Sequence, residues 1–238
     1  MTSINEVELS GCAALVTGAS RRLGRAIALR LARCGMHIGV HYRSDEDGAR
    51  AVAEEIKQMG RTAHLLPADL SQAGAAKAMV EEAWNVFGGL YALVNNAARF
   101  ERTPIEELTT VHFDEQMATN ARALMEASQA AGLAMRDARG GAIVNVLDIS
   151  AERPWGTHIA YCASKGAALN MTRSFAKALA PHVRVNGVSP GAALPVTDTK
   201  QGSGDPPGGL IGGHSGAEPS AAATEMLIRH TWMTGVVI

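Results

Sequence analysis

Thr17-Gly18-Ala19-Ser20-Arg21-Arg22-Leu23-Gly24 lies between an apolar run, Ala13-Ala14-Leu15-Val16, and a segment with Leu23, Ile27 and Leu31 at helical spacing. The apolar run reads as a buried parallel strand. Gly18 permits a tight turn, and the helix that follows presents its N-terminal N–H groups to an anion. Such a strand–turn–helix unit is expected to hold the pyrophosphate of a dinucleotide, and Gly18, Ser20, Arg21, Arg22 and Leu23 are the residues expected at the cofactor. Arg22 stands where glycine is usual in such turns.

Outward from this turn, the same alternation repeats. Strands are expected at 37–41, 62–66, 90–94, 142–147 and 183–188. Helices are expected from the Ser44-Asp45-Glu46-Asp47 cap to Met59, from a Ser71 cap to Phe87, at 111–135, at 158–179 and at 221–230. Strands alternating with helices imply right-handed crossovers and an α/β fold, a single doubly wound parallel sheet flanked by helices, over residues 1–238. Residues 191–218, rich in Gly, Pro, Ser and Thr, read as a flexible loop, with 192–218 either a cover for a substrate or a plain disordered linker. Gly235-Val236-Val237-Ile238 reads as a last edge strand.

The chain has 238 residues, 47% of them hydrophobic and 19% charged, a size and mix that one α/β domain can accommodate. A net charge of −1 gives no basic field for nucleic acid. Its three cysteines, Cys12, Cys34 and Cys162, have neither metal-ligand nor disulfide spacing, so no metal site is expected. The Met1–Ser10 stretch is polar, unlike a signal peptide, and no apolar run is long enough to span a membrane. These features lead us to expect a cytoplasmic protein.

The second strand ends in His41-Tyr42-Arg43-Ser44 rather than in an acidic residue. An acid there would bind a ribose 2′-hydroxyl, whereas Arg43 and Ser44 suit a 2′-phosphate, so NADPH is the expected cofactor. Asp69-Leu70 can meet the adenine edge, or Asp69 can serve as a cap. Tyr161 and Lys165 are four apart on a helix and face one way. An ammonium beside a phenol is expected to lower its pKa and tune it as a proton donor. Asp148 ends the fifth strand, thirteen residues before Tyr161. It reads as a partner to that proton device or as a cap for the loop at 149–153. Asn120, a poor helix former inside the fourth helix, reads as a polar site residue.

Taken together, the turn at 17–24, Asn95-Asn96-Ala97, Asn120, Tyr161/Lys165 and Pro190-Gly191 resemble the short-chain dehydrogenase/reductase family over 13–191. The resemblance implies Tyr161 as acid, Lys165 as its tuner and ribose ligand, and Asn120 as the anchor of a relay water. It also implies cofactor contacts at Tyr42, Asn96, Ala97, Pro190 and Gly191, and a homodimer or homotetramer. Within the family the chain is most similar to pteridine reductases. Arg22, the 41–44 segment, Phe100 and Asp148 in place of serine carry this likeness, as does the stretch around Glu152-Arg153-Pro154. It implies a pterin held by Arg22, Phe100, Asp148 and Tyr161. In those relatives a further segment follows the last strand, whereas this sequence stops at Ile238. A 3-oxoacyl carrier-protein reductase, or another carbonyl reductase, is the alternative, and a non-catalytic NADPH sensor a third reading.

Overall fold

Why the chain folds as a layered sheet is visible in the alternation of its central strands. β1 (Ala13–Val16), β4 (Ala92–Asn95) and β5 (Gly141–Val146) are buried on both faces. Ala14, Val16, Val94 and Val144 join one hydrophobic cluster, whereas Leu15, Leu93 and Ile143 join another on the opposite face. The first cluster takes Ile27 and Leu31 of α1 (Arg22–Arg33), Val52 and Ile56 of α2 (Glu46–Gln58), and Leu227 and Ile228 of α7 (Glu218–Arg229). The second takes Met79 and Val80 of α3 (Ala75–Phe87), Ala127 and Met135 of α5 (Ala123–Asp137), and Leu179 of α6 (Ile159–Leu179).

With β2 (His37–Tyr42), β3 (Ala63–Pro67) and β6 (Val183–Val188), the strands form one six-stranded sheet of order β3-β2-β1-β4-β5-β6, with parallel pairing throughout. The order reverses between β1 and β4. That switch point opens a crevice beyond the carboxyl ends of the two strands, where ligands bind in sheets of this kind. The doubly wound α/β fold expected from the sequence is therefore the fold observed. This computed structural model describes residues 6–191 and 216–238.

Several local expectations are corrected. The fourth helix is not continuous. α4 (Thr110–Met117) passes into a π-helical segment, Ala118–Arg122, before α5. Asn120 sits in this wider turn, a distortion often found at functional sites. Ser71 does not cap α3. The cap position is Gly74 at φ 82°, and the Glu126 carboxylate on α5 accepts the Gly74 N–H at 3.0 and 3.1 Å. Most of the expected loop at 192–218 lies outside the described residues, but Glu218 already belongs to α7.

The last residues approach β6 as expected, yet they form an isolated parallel bridge, Gly187 to Val237, rather than a full strand. Gly187 N–H donates to the Val236 carbonyl at 2.8 Å, and Ser189 N–H to that of Ile238 at 2.7 Å.

Candidate functional site

The turn after β1 and the loop after β4 are laced together at the switch point. Thr17 Oγ1 accepts from the backbone N–H groups of Asn96 (2.8 Å) and Ala97 (2.9 Å). The Asn96 amide donates back to the carbonyls of Thr17 (2.8 Å) and Gly18 (3.2 Å). Gly24, in the first turn of α1, faces the Gly18 carbonyl so closely that a Cβ there would lie 2.1 Å from it. Only glycine lets helix and turn approach in this way. From the other side, His41 at the end of β2 accepts the Gly18 N–H on Nδ1 at 2.8 Å.

Arg22 has φ 53° and is the only described residue other than glycine with a positive φ. The sequence pointed to it as a residue in a glycine position, and the backbone explains why. The left-handed region suits glycine and costs other residues free energy. Arg21, at the N-cap of α1, makes no side-chain capping bond, although the N–H groups of a helix's first turn need partners from outside the helix.

Around this turn is a cleft with room for about 650 Å3. Its walls carry the expected Gly18, Ser20, Arg21, Arg22, Leu23, Tyr42, Arg43, Ser44, Asp69, Leu70, Asn96 and Ala97, together with Phe100. A narrow crevice deeper in the molecule shares Leu70, Ala97 and Thr119 with the cleft and reaches Asn120 and Lys165. The Asp69 carboxylate accepts the Ser71 N–H at 3.0 Å, so it shapes its own loop, and the Ser71 hydroxyl first and this N–H second hold its pKa below the usual range. Pro190, after β6, accepts from Ile149 N–H at 3.4 Å, tying the strand end to the loop behind Asp148. Gly191 is the last described residue before the undescribed stretch.

The residues expected to carry chemistry converge at the β5–α6 junction. Tyr161 O–H donates to Asp148 Oδ2 at 2.9 Å, and Ser150 N–H donates to Asp148 Oδ1 at 2.7 Å. One carboxyl group thus fills both roles the sequence left open, partner to the phenol and cap of the short 3-10 turn, Ile149–Ala151.

The buried Lys165 ammonium donates to the Val146 carbonyl at 2.9 Å and lies 5.8 Å from the centre of the Tyr161 ring. The Asn120 amide faces the Arg99 carbonyl (2.9 Å) and Ser164 Oγ on α6 (2.9 Å), while its oxygen accepts the Arg99 N–H at 2.7 Å. It therefore clamps the loop after β4 to α6.

One electrostatic expectation is reversed. The phenol of Tyr161 is pushed well above its ordinary pKa, by burial first and then by the Asp148 charge and hydrogen bond. Burial brings Lys165 down to about 8, with Asp148 opposing. The ammonium bonds a backbone carbonyl, and the group actually at the phenol oxygen is an anion-forming carboxyl. The phenol is consequently held protonated rather than acidified.

Phe100 stacks on the imidazole of His158 (centroids 4.7 Å, 18°) and meets the Tyr161 ring edge-on (4.8 Å, 87°). Trp155 lies parallel to Tyr161 at 6.4 Å. This aromatic collar was missed beyond Phe100. Trp155 and His158 precede Tyr161 closely enough that the start of α6 was the available signal. Burial first, then Arg102, lowers the His158 pKa, with Asp148 opposing. Thr17 and His41, which hold the turn, were not recognised as ties either, because each works through backbone groups remote in sequence.

Known proteins share this fold. The family model for short chain dehydrogenase matches residues 12–206. A 3-oxoacyl-acyl-carrier-protein reductase of Staphylococcus aureus is 36% identical over 179 residues, covering 75% of this chain and 73% of that protein. A short chain dehydrogenase of Burkholderia cenocepacia, solved in complex with NADP, superposes with TM-score 0.89 at 32% identity, covering 98% and 97% of the two chains. A 3-oxoacyl carrier-protein reductase of Agrobacterium tumefaciens with NADP bound gives TM-score 0.88 at 30% identity, covering 97% and 93%. With the switch-point cleft, the laced glycine turn and the Tyr161/Lys165 pair already in place, the match over most of its length makes this chain a member of the short-chain dehydrogenase/reductase family, an oxidoreductase.

Proposed function

We propose that the protein is an NADPH-dependent reductase of a C=N bond in a fused, flat heterocycle of the pterin type. The observation that carries this reading is the Tyr161–Asp148 hydrogen bond. Arg43 and Ser44 border the cleft at the end of β2, where they would grip the 2′-phosphate of NADPH. Gly18, Ser20, Arg22 and Leu23 would face its pyrophosphate, with Asn96, Ala97, Lys165, Pro190 and Gly191 toward its nicotinamide half. The N-cap residue Arg21, which makes no side-chain capping bond, and the close Gly24 contact fit such a ligand. Bound there, NADPH supplies a hydride.

Reducing C=N adds a hydride at carbon and a proton at nitrogen. Hydride addition alone would leave a strongly basic nitrogen anion, so a phenol that has kept its proton is a sufficient acid. Asp148 orients that phenol, and Lys165 places a positive charge behind it. Asn120 fixes the loop that carries Phe100, the aromatic that would meet the pterin, stacked on His158 and edge-on to Tyr161. A carboxyl group can also accept from the amino-pyrimidine edge of a pterin, which a serine hydroxyl does less strongly.

The second reading, a 3-oxoacyl carrier-protein reductase, is favoured by the likeness to the S. aureus and A. tumefaciens proteins. A serine hydroxyl donates to a carbonyl oxygen, whereas Asp148 accepts from both of its partners here. Mixing purified protein with NADPH and either dihydrobiopterin or an acetoacetyl thioester separates the two. Cofactor oxidation is expected with the pterin and not with the thioester, and the opposite pattern overturns the proposal. NADPH binding without turnover of either substrate would favour a sensor.

A further inference from the structure

His41 is a buried imidazole that the chemistry above does not use. Its partners fix its tautomer. Nδ1 accepts the Gly18 N–H at 2.8 Å, so the ring proton sits on Nε2, which donates to the Ala68 carbonyl at 3.1 Å. The His41 carbonyl accepts the next N–H of the turn, Ala19, at 2.8 Å. One residue thus sets two successive peptide units of the phosphate turn and ties them to the end of β3. Gly18, His41 and Ala68 all line the cleft.

A second proton has no place here. It would put an N–H on Nδ1, facing the N–H of Gly18, and two donors cannot bond. The charged side chains on the segments that meet the ring are Arg21 and Arg22 on the turn, Arg43 just after β2 and Asp69 after β3. All four are exposed, and burial and the Ala68 carbonyl are what act on the ring. Burial keeps the imidazole neutral, with the Ala68 carbonyl opposing.

We propose that His41 is a positioning residue that holds the turn in its ligand-binding shape only while neutral, so that acid loosens the grip on NADP(H). A cationic ring also attracts phosphates, but at the cost of the Gly18 geometry on which their N–H contacts depend. The proposal rests on reading the cleft as an NADP(H) site.

The test is NADP+ binding by calorimetry at about pH 5.5 and about pH 8 for the wild type, His41→Asn and His41→Phe. The 2′-phosphate titrates alike in all three proteins, so the differences isolate the imidazole. His41→Phe, which fills the space without an acceptor, is expected to bind about tenfold more weakly at the higher pH, and the Asn amide oxygen to restore most of that loss. The wild type is expected to lose about fivefold more affinity than His41→Asn on acidification, with His41→Gln as the substitute if His41→Asn does not fold. Equal pH dependence in wild type and amide variant, or wild-type affinity in His41→Phe, overturns the proposal and leaves the cofactor reading intact. A wild type that binds no NADP+ at either pH overturns both.

Discussion

Asp148 shows how one side chain can serve two masters. Its two oxygens hold the Ser150 N–H and the Tyr161 O–H at the same time, which fixes both the loop after β5 and the direction of the phenol. Asp148→Ser therefore keeps a short cap but loses the carboxyl partner. Turnover of a dihydropterin is expected to fall about a hundredfold, within the range contributed by positioned acids, while NADP+ affinity changes far less. Steady-state kinetics beside calorimetry checks this, and unaltered turnover removes Asp148 from the reaction.

Arg43 makes a different kind of contribution, a charge at the cleft edge. Arg43→Ala is expected to reduce the preference for NADPH over NADH about tenfold or more, the scale of a charge-assisted hydrogen bond. The ratio of kcat/KM with the two cofactors measures it. Arg22 carries the cost of its left-handed backbone. Arg22→Gly relieves about 1 kcal/mol of strain yet removes a guanidinium from the cleft. A higher melting temperature with poorer turnover is the expected signature.

Among the elements, α7 is fastened to the sheet through an arginine. Arg184, buried on β6, donates to the carbonyls of Leu227 (2.6 Å) and Ile228 (2.7 Å) in the last turn of α7. It satisfies acceptors that every helix C-terminus leaves open. Arg184→Met strands those carbonyls and is expected to cost about 1–3 kcal/mol in chemical denaturation. An unchanged unfolding midpoint would show that water replaces the arginine.

The opposite face uses side-chain amides in the same way. Asn95 on β4 donates to Asn145 on β5 (2.9 Å) and to Ser128 on α5 (3.0 Å), and Asn145 donates to Thr172 on α6 (2.9 Å). This buried polar chain joins the helices that frame Asn120 and Lys165 to the centre of the sheet. The π-helical segment belongs at this scale as well. Helix-forming composition continues through Ala118–Arg122, so no local signal in the sequence marks the wider turn.

For the molecule as a whole, the buried titrating groups set how stability depends on pH. An unfolded lysine keeps its proton up to 10.5, whereas folded Lys165 releases it near 8. Between these values the unfolded chain binds more protons, so stability rises with pH across that window. Tyr161 acts in the opposite sense. Above pH 10 the unfolded phenol ionises while the folded one keeps its proton, so its contribution, complete below 10, is lost as pH climbs further. His41 and His158, both held neutral, make the protein less stable as pH falls below the ordinary histidine value of 6.5. Denaturation of the wild type and Lys165→Met across about pH 7 to 10 should show the alkaline rise only in the wild type. The same rise in both proteins would assign it elsewhere.

What the sequence determined by itself was the pattern: short continuous apolar strands, helices between them, a glycine turn at the first junction, and the Tyr161/Lys165 spacing. These signals are local, since each depends on residues a few positions apart. Arg22 in a glycine position and Asp148 in a serine position were likewise legible one residue at a time. Only the tertiary structure decided which groups meet. It joined His41 to Gly18, Thr17 to Asn96, and the phenol to Asp148 instead of the ammonium. Those pairings depend on strand order and register, and on how deeply a side chain is buried. Burial is also what reversed the expected shift of the phenol, because the free energy of a charge follows its surroundings in space, not its neighbours along the chain.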